Sequence, residues 1–265
     1  MSAVPPVREP DAAAFARFAG RLADAAAAAV LPHFRTQFVI DDKADLTPVT
    51  AADRAAETAM RALIETNYPL HGVVGGEFPA VRADAEHVWI LDPIDGTKSF
   101  VAGLPIFGTM IALTRGGRAI VGVIDQPYIR ERWIGVEGEG TFFNGKPARV
   151  RPCPTLARAV LFTTSAGLFD PAEEAAFQRL RLATRINRLS GDCYAFALLA
   201  SGHADVVIDN TVKPHDFAAL VPVVEGAGGK ITDWEGRPLN MTRNARLLAT
   251  GDDAAHRQAI KLLAM

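Results

Sequence analysis

The feature that most narrows the fold is a change of pattern near residue 152. Between Gly72 and Phe143 short apolar segments follow one another with tight turns between them. Val73-Val74, Val88 to Leu91, Thr109 to Thr114, Ala119 to Ile124, Arg132 to Val136 and Thr141 to Phe143 read as strands. Arg115-Gly116-Gly117-Arg118 reads as a hairpin turn and Asn144-Gly145 as a second tight turn. Beyond Pro152 strand and helix alternate. Strands are expected at 159–163, 185–189, 204–208 and 230–232, and helices at 171–182, 194–200 and 216–225. That alternation builds βαβ units and a mostly parallel sheet. Helical spacing of Phe15, Phe18, Leu22, Ala26 and Ala29 predicts a first helix from Asp11 to Leu31. Ala52, Ala56, Met60 and Leu63 predict a second from Thr50 to Thr66, and a last helix spans Asp252 to Leu263. The chain therefore divides into an N-terminal α+β subdomain, 1–152, and a C-terminal α/β subdomain, 153–265. Pro152-Cys153-Pro154 marks the junction without making a flexible linker.

Composition removes several classes of function. With 49% apolar and 22% charged residues, the 265-residue chain is neither disordered nor fibrous. A net charge of −2 lacks the basic excess of a nucleic-acid binder. The longest strongly apolar stretch, Ala25 to Leu31, is far short of the ~20 residues that span a bilayer. No signal pattern opens the chain, and two cysteines make neither a disulfide framework nor a thiolate metal site. These points lead us to expect a cytoplasmic protein that binds neither membrane nor nucleic acid.

The chemistry concentrates in Leu91-Asp92-Pro93-Ile94-Asp95-Gly96-Thr97-Lys98-Ser99-Phe100, directly after an apolar strand. Two carboxylates three residues apart on a turn can face one point, and the Ile94 carbonyl can join them. Oxygen donors of this kind suit Mg²⁺ or another hard cation. Glu77 and Asp216 stand at similar strand-to-loop and loop-to-helix transitions. Were these acids to converge, each pair at ~4 Å would repel by about 4 kcal/mol at an effective dielectric of ~20. Protons or divalent cations must then compensate. Plainer readings exist for each residue alone. Asp92-Pro93 and Asp95-Gly96 also spell ordinary turns. Asp53 fits a capping box with Thr50, and Asp216 and Asp192 fit helix N-caps.

The joint order of these pieces resembles the inositol monophosphatase family of Mg²⁺-dependent phosphatases. The matching stretches are 43–53 (KADLTPVTAAD), 75–77, 91–100 (LDPIDGTKSF) and 216–229 (DFAALVPVVEGAGG). The segments 122–127, 131–133, 191–195, 213–214 and 220–236 are similar to its histidinol-phosphatase branch. The resemblance implies a layered sandwich of alternating helix and sheet layers, with two or three Mg²⁺ ions, Mn²⁺ being an alternative. It implies metal binding by Glu77, Asp92, Asp95, Asp216 and the Ile94 carbonyl. Asp53 and Thr97, with Glu77, would prepare the attacking water. Lys43, Asp95, Gly96 and Thr97 would face the phosphate. Gly191, Asp192, Asp209 and Asp216 would face the rest of the substrate. The implied reaction is hydrolysis of histidinol phosphate to histidinol and phosphate by a homodimer. Alternatives are inositol 1-phosphate, a sugar or nucleotide phosphate, or a non-catalytic metal-binding relative. The chain departs from the family pattern in having Gly76 before Glu77, His215 before Asp216, and Asp209-Asn210-Thr211 in the substrate-proximal stretch.

Overall fold

The structure, a computed structural model, describes residues 11–36, 40–42, 48–165, 167 and 169–264. Two helices open the chain, α1 (Ala12–Val30) and α2 (Ala51–Asn67), with a small antiparallel pair, β1 (Ile40–Asp42) and β2 (Pro48–Thr50), between them. Asp11 caps α1 by accepting a hydrogen bond from the Ala14 amide at 2.8 Å, as its position before the apolar stripe predicts.

The first large sheet contains β3 (Gly72–Gly75), β4 (His87–Asp95), β5 (Gly108–Arg115), β6 (Arg118–Gln126), β7 (Glu131–Val136), β8 (Gly140–Phe143) and β9 (Lys146–Pro147), in sequence order. Only β3 and β4 run parallel; the other neighbours pair antiparallel. A short helix, α3 (Thr97–Val101), follows β4. The second sheet has the order β11 (Ile186–Leu189), β10 (Val160–Thr163), β12 (Val206–Val212), β14 (Ala245–Thr250), β13 (Lys230–Thr232). Its helices are α4 (Pro171–Ala183), α5 (Asp192–Ala200), α6 (Pro214–Phe217), α7 (Leu220–Gly226) and α8 (Asp253–Leu263).

Period-2 alternation distributes the strand side chains between layers. Trp89 and Leu91 of β4, with Ile111 and Leu113 of β5, pack against α1 and α2. Val88, Ile90, Met110 and Ala112 face the other way, into a core shared with α5, α7 and one face of the second sheet. That sheet's far face, with Val206, Ile208 and Leu248, packs on α4 and α8. The result is five layers, helix–sheet–helix–sheet–helix, the sandwich expected from the resemblance. Helix α5 lies between two sheets, which explains why Cys193, Ala195, Phe196, Ala197, Leu199 and Ala200 are all buried.

The second sheet differs from the expected mostly parallel one. β10 pairs parallel with β11 and β12, but β14 runs antiparallel to both β12 and β13. Sequence patterning passes over β14 because Ala245-Arg246-Leu247-Leu248-Ala249-Thr250 has little β-branched character; its pairing on both sides, with β12 and β13, makes it a strand. The expected helix at 216–225 is two helices. Pro222 lacks the amide that would bond back to Ala218, so it fits only in the first turn of a new helix, α7.

Candidate active site

β4 does not stop at Leu91. It runs on to Asp95 through an irregularity in its pairing with β5: Asp92 faces Met110, and Asp95 faces Gly108. Three residues on one strand thus span two on the other, a bulge that re-aims the side chains. Pro93, without an amide to give the ladder, sits inside this bulge, and its carbonyl accepts a hydrogen bond from Thr109 Oγ1 at 2.7 Å. Gly96 then turns the chain at φ +76° into α3. Thr97 Oγ1 donates to the Ile94 carbonyl at 3.0 Å, tying the two ends of the turn together.

The start of α5 presses on this turn from the second half. The Cys193 amide donates to Asp95 Oδ2 at 2.5 Å. Ser99 Oγ donates to Asp192 Oδ2 at 2.6 Å. A Cβ at position 96 would lie 2.7 Å from Asp192 Oδ2, so the site demands glycine for space as well as for φ. Asp192 itself adopts φ +45°, an uncommon conformation for a residue with a Cβ, held by these contacts. It is not the cap of α5; Gly191 holds that position. Nor is Asp216 the cap of α6. Lys213 is, and Asp216 Oδ2 reaches back to accept the Lys213 amide at 2.7 Å, with His215 Nε2 3.3 Å from Oδ1.

A cavity of about 240 Å³ gathers Asp95, Gly96, Thr97, Asp192, Asp209 and Asp216. Asp209, on β12, accepts three hydrogen bonds: from Thr163 Oγ1 at 3.2 Å, the Thr164 amide at 2.9 Å and Thr164 Oγ1 at 2.9 Å. Asn210 beside it donates to Glu173 Oε2 at 2.9 Å. Burial, then the negative charges of Asp192 and Asp216, hold the Asp95 carboxyl well above the usual range. Burial raises Asp192, against the pull of Ser99 and Lys98. Burial pushes Asp209 up to about 6, although the Thr163 and Thr164 donors oppose it. Cys193 is raised by burial and by Asp95, with Asp92 also contributing, so its thiol is inert packing.

Asp53, Glu77, Asp92 and Gly191 are not among the cavity's lining residues. Asp53 and Glu57 stand one turn apart on α2, both buried. Glu57 Oε2 accepts the Glu77 amide at 2.8 Å, which ties α2 to the chain after β3. The Glu77 carboxylate is buried and lies 3.9 Å from Arg54 Nε. Gly191 packs against Ala195 and Phe162. Lys43 lies outside the described residues.

The donor set fits a hard cation in its chemistry: carboxylates and one backbone carbonyl, with no sulfur or imidazole required. Mutual repulsion among Asp95, Asp192 and Asp216 is also what bound positive charge would relieve. Among the described residues, no three His, Cys, Asp or Glu side chains are gathered into a group that could hold an ion.

Sequence reasoning missed Glu57, Ser99 and the Thr163-Thr164 pair. Glu57 had a signal, since it follows Asp53 by one helical turn. Ser99 lay within the motif. Thr163 and Thr164 had none, because only the pairing of β10 with β12 brings them to Asp209.

Known proteins agree with this architecture. The family model described as the inositol monophosphatase family matches residues 11–264. The bifunctional phosphatase IMPL2, chloroplastic, of Arabidopsis thaliana is 46% identical over 258 residues, 94% of this chain and 75% of that protein. A histidinol-phosphatase of Chlorobaculum parvum is 40% identical over 218 residues, 82% of this chain and 84% of that one. The solved inositol monophosphatase of Zymomonas mobilis superposes with a TM-score of 0.89 at 46% identity, covering 97% of this chain and all (100%) of that one. With the bulged acidic strand, the Gly96 turn and the five layers all in place over the full matched length, the chain belongs to the inositol monophosphatase family.

Proposed function

We propose that this protein hydrolyses histidinol phosphate to histidinol and phosphate. The family is one of metal-dependent phosphatases, generally using Mg²⁺, that act on small-molecule phosphates. The observation that carries the finer reading is the acidity of the cavity at the Gly96 turn: Asp192 and Asp209 line it together with Asp95 and Thr97. A substrate with an ammonium group beside its phosphate suits such a cavity. A hydrogen bond to a charged group contributes about 1.5–3 kcal/mol, or roughly 10- to 150-fold in discrimination. The similarity to a named histidinol-phosphatase supports the same reading.

In this proposal Glu77, Asp92, Asp95, Asp216 and the Ile94 carbonyl hold Mg²⁺. Held there, Mg²⁺ would supply positive charge for the phosphoryl oxygens and would lower the pKa of water. Asp53 and Thr97 orient the attacking water, and Thr97 is kept in place by its bond to Ile94. Lys43 and the Gly96-Thr97 turn receive the phosphate. The water oxygen bonds to phosphorus, the P–O bond to the alcohol breaks, and the alcohol leaves with a proton. Asp192 and Asp209 face the organic portion. We further propose a cytoplasmic homodimer. Exposed Leu182, Ile186 and Leu189, by the edge strand β11, supply apolar area for such a contact. Among the described residues, no helix is long and apolar enough to cross a membrane.

A second reading, inositol 1-phosphate, is favoured by the 46% identity to the Zymomonas mobilis inositol monophosphatase. Phosphate release separates the two. Histidinol phosphate, inositol 1-phosphate and 3′-phosphoadenosine 5′-phosphate are compared with and without Mg²⁺. We expect kcat/KM for histidinol phosphate to lead by a hundredfold or more, about 2.7 kcal/mol of transition-state preference. Comparable turnover of another ester would remove the substrate assignment and leave the phosphatase.

A further inference from the structure

Glu57 has no part in the reaction described above, yet its carboxylate is wholly buried. A buried charge is costly unless it is paired and hydrogen-bonded. Glu57 is both. Arg61, one turn later on α2, donates through Nε to Oε1 at 2.7 Å. The backbone amide of Glu77 donates to Oε2 at 2.8 Å. Arg61 also donates through Nη2 to the Phe78 carbonyl at 3.2 Å, and its guanidinium lies 5.8 Å from the Phe78 ring centre. The pair therefore grips the amide of Glu77 and the carbonyl of the next residue. Gly75 completes the fit: a Cβ there would collide with the Glu57 carboxylate, so the chain before Glu77 approaches α2 only because position 75 has no side chain.

We propose that the Glu57–Arg61 pair is a brace that sets the direction of the Glu77 side chain, making Glu57 a positioning residue for cation binding. This rests on the reading of Glu77 as a metal ligand. The same helix carries Asp53 one turn earlier, so the brace also fixes the distance between the water-orienting acid and the ligand acid.

The test is calorimetric titration of Mg²⁺ and Mn²⁺ into chelator-stripped protein, with a thermal melt of each variant. Glu57→Ala and Gly75→Ala break the brace from its two sides and should each weaken cation binding about 10- to 100-fold. Glu57→Gln keeps an acceptor for the Glu77 amide and should lose less than Glu57→Ala. Glu77→Gln should lose most. If Glu57→Ala and Gly75→Ala melt lower but bind the cation as wild type does, while Glu77→Gln does not, the pair is only a staple and the brace is overturned. If Glu77→Gln binds as wild type does, the ligand reading itself fails. Should Glu57→Ala not fold, Glu57→Gln and Gly75→Ala decide between the same outcomes.

Discussion

Two strands, one in each sheet, use the same backbone device and reach different ends. On β4, the pairing with β5 slips by one residue between Asp92 and Asp95. On β12, the pairing with β14 slips by one residue between Asp209 and Val212. Each bulge turns an acid toward the cavity between the sheets. There the likeness ends. Asp209 accepts three hydrogen bonds from Thr163 and Thr164 of its neighbouring strand. For Asp95 the hydrogen bond the structure gives is from the Cys193 amide, and its neighbours Asp192 and Asp216 are themselves acidic. Protein donors stabilise the first carboxylate. The second is set in a negative field that a bound cation would relieve. A bulge places an acid; the groups around it decide whether its charge is met by the protein's own donors or left for a bound cation.

The largest effect that could break this contrast is at Asp95. Asp95→Asn should lower kcat/KM by about a thousandfold, some 4 kcal/mol of barrier, whereas Asp209→Asn, which removes one charge facing the organic portion, should cost about 10- to 100-fold. Equal losses in steady-state assays would erase the distinction.

A finer cut lies at the contact between halves. Ser99→Ala removes the hydrogen bond to Asp192 and leaves its carboxylate, so histidinol phosphate and a simple aryl phosphate should lose equally, by about tenfold. Asp192→Ala removes the carboxylate too, and should penalise histidinol phosphate at least about tenfold more than the aryl ester. Parallel losses in both variants would reduce Asp192 to a clamp.

The smallest effect is in stability against pH. The folded chain holds Asp209 at about 6, above its ordinary 3.8. Between those values the folded state binds more protons than the unfolded, so this residue's contribution declines as pH rises toward 6 and stays low above it. Asp209→Asn should therefore compare more favourably with wild type in urea melts at pH 8 than at pH 4.5. His256 works in the opposite direction. Burial lowers it to about 4 while Thr232 and Thr250 engage its two nitrogens, so its contribution is lost as pH falls from about 6.5 toward 4.

Much of the first half was legible. Asp11 before an apolar stripe, Asn144-Gly145 between strands and the Leu91 to Phe100 motif are local signals, and in the structure they are a cap, a turn and an acidic bend. The second half read less well where a residue's state depends on distant neighbours. β14 has a composition that suits helix as readily as strand, and the sheet position overrides it. Asp192 and Asp216 look like N-caps by position, yet Gly191 and Lys213 hold those places: the Asp192 side chain is claimed by Ser99, and Asp216 sits three residues into the capping box, accepting the Lys213 amide.

The sequence by itself determined which acids exist, their order, the turns that carry them and the family to which they belong. Those properties follow from residue type and spacing over a few positions. Only the tertiary structure decided that Ser99 meets Asp192 across 93 residues, that Glu57 grips the amide of Glu77, and that Thr163 and Thr164 satisfy Asp209. Such partners are chosen when layers pack and buried charges must find donors. No local pattern records that choice, because each partner's own neighbourhood in the chain is compatible with many others.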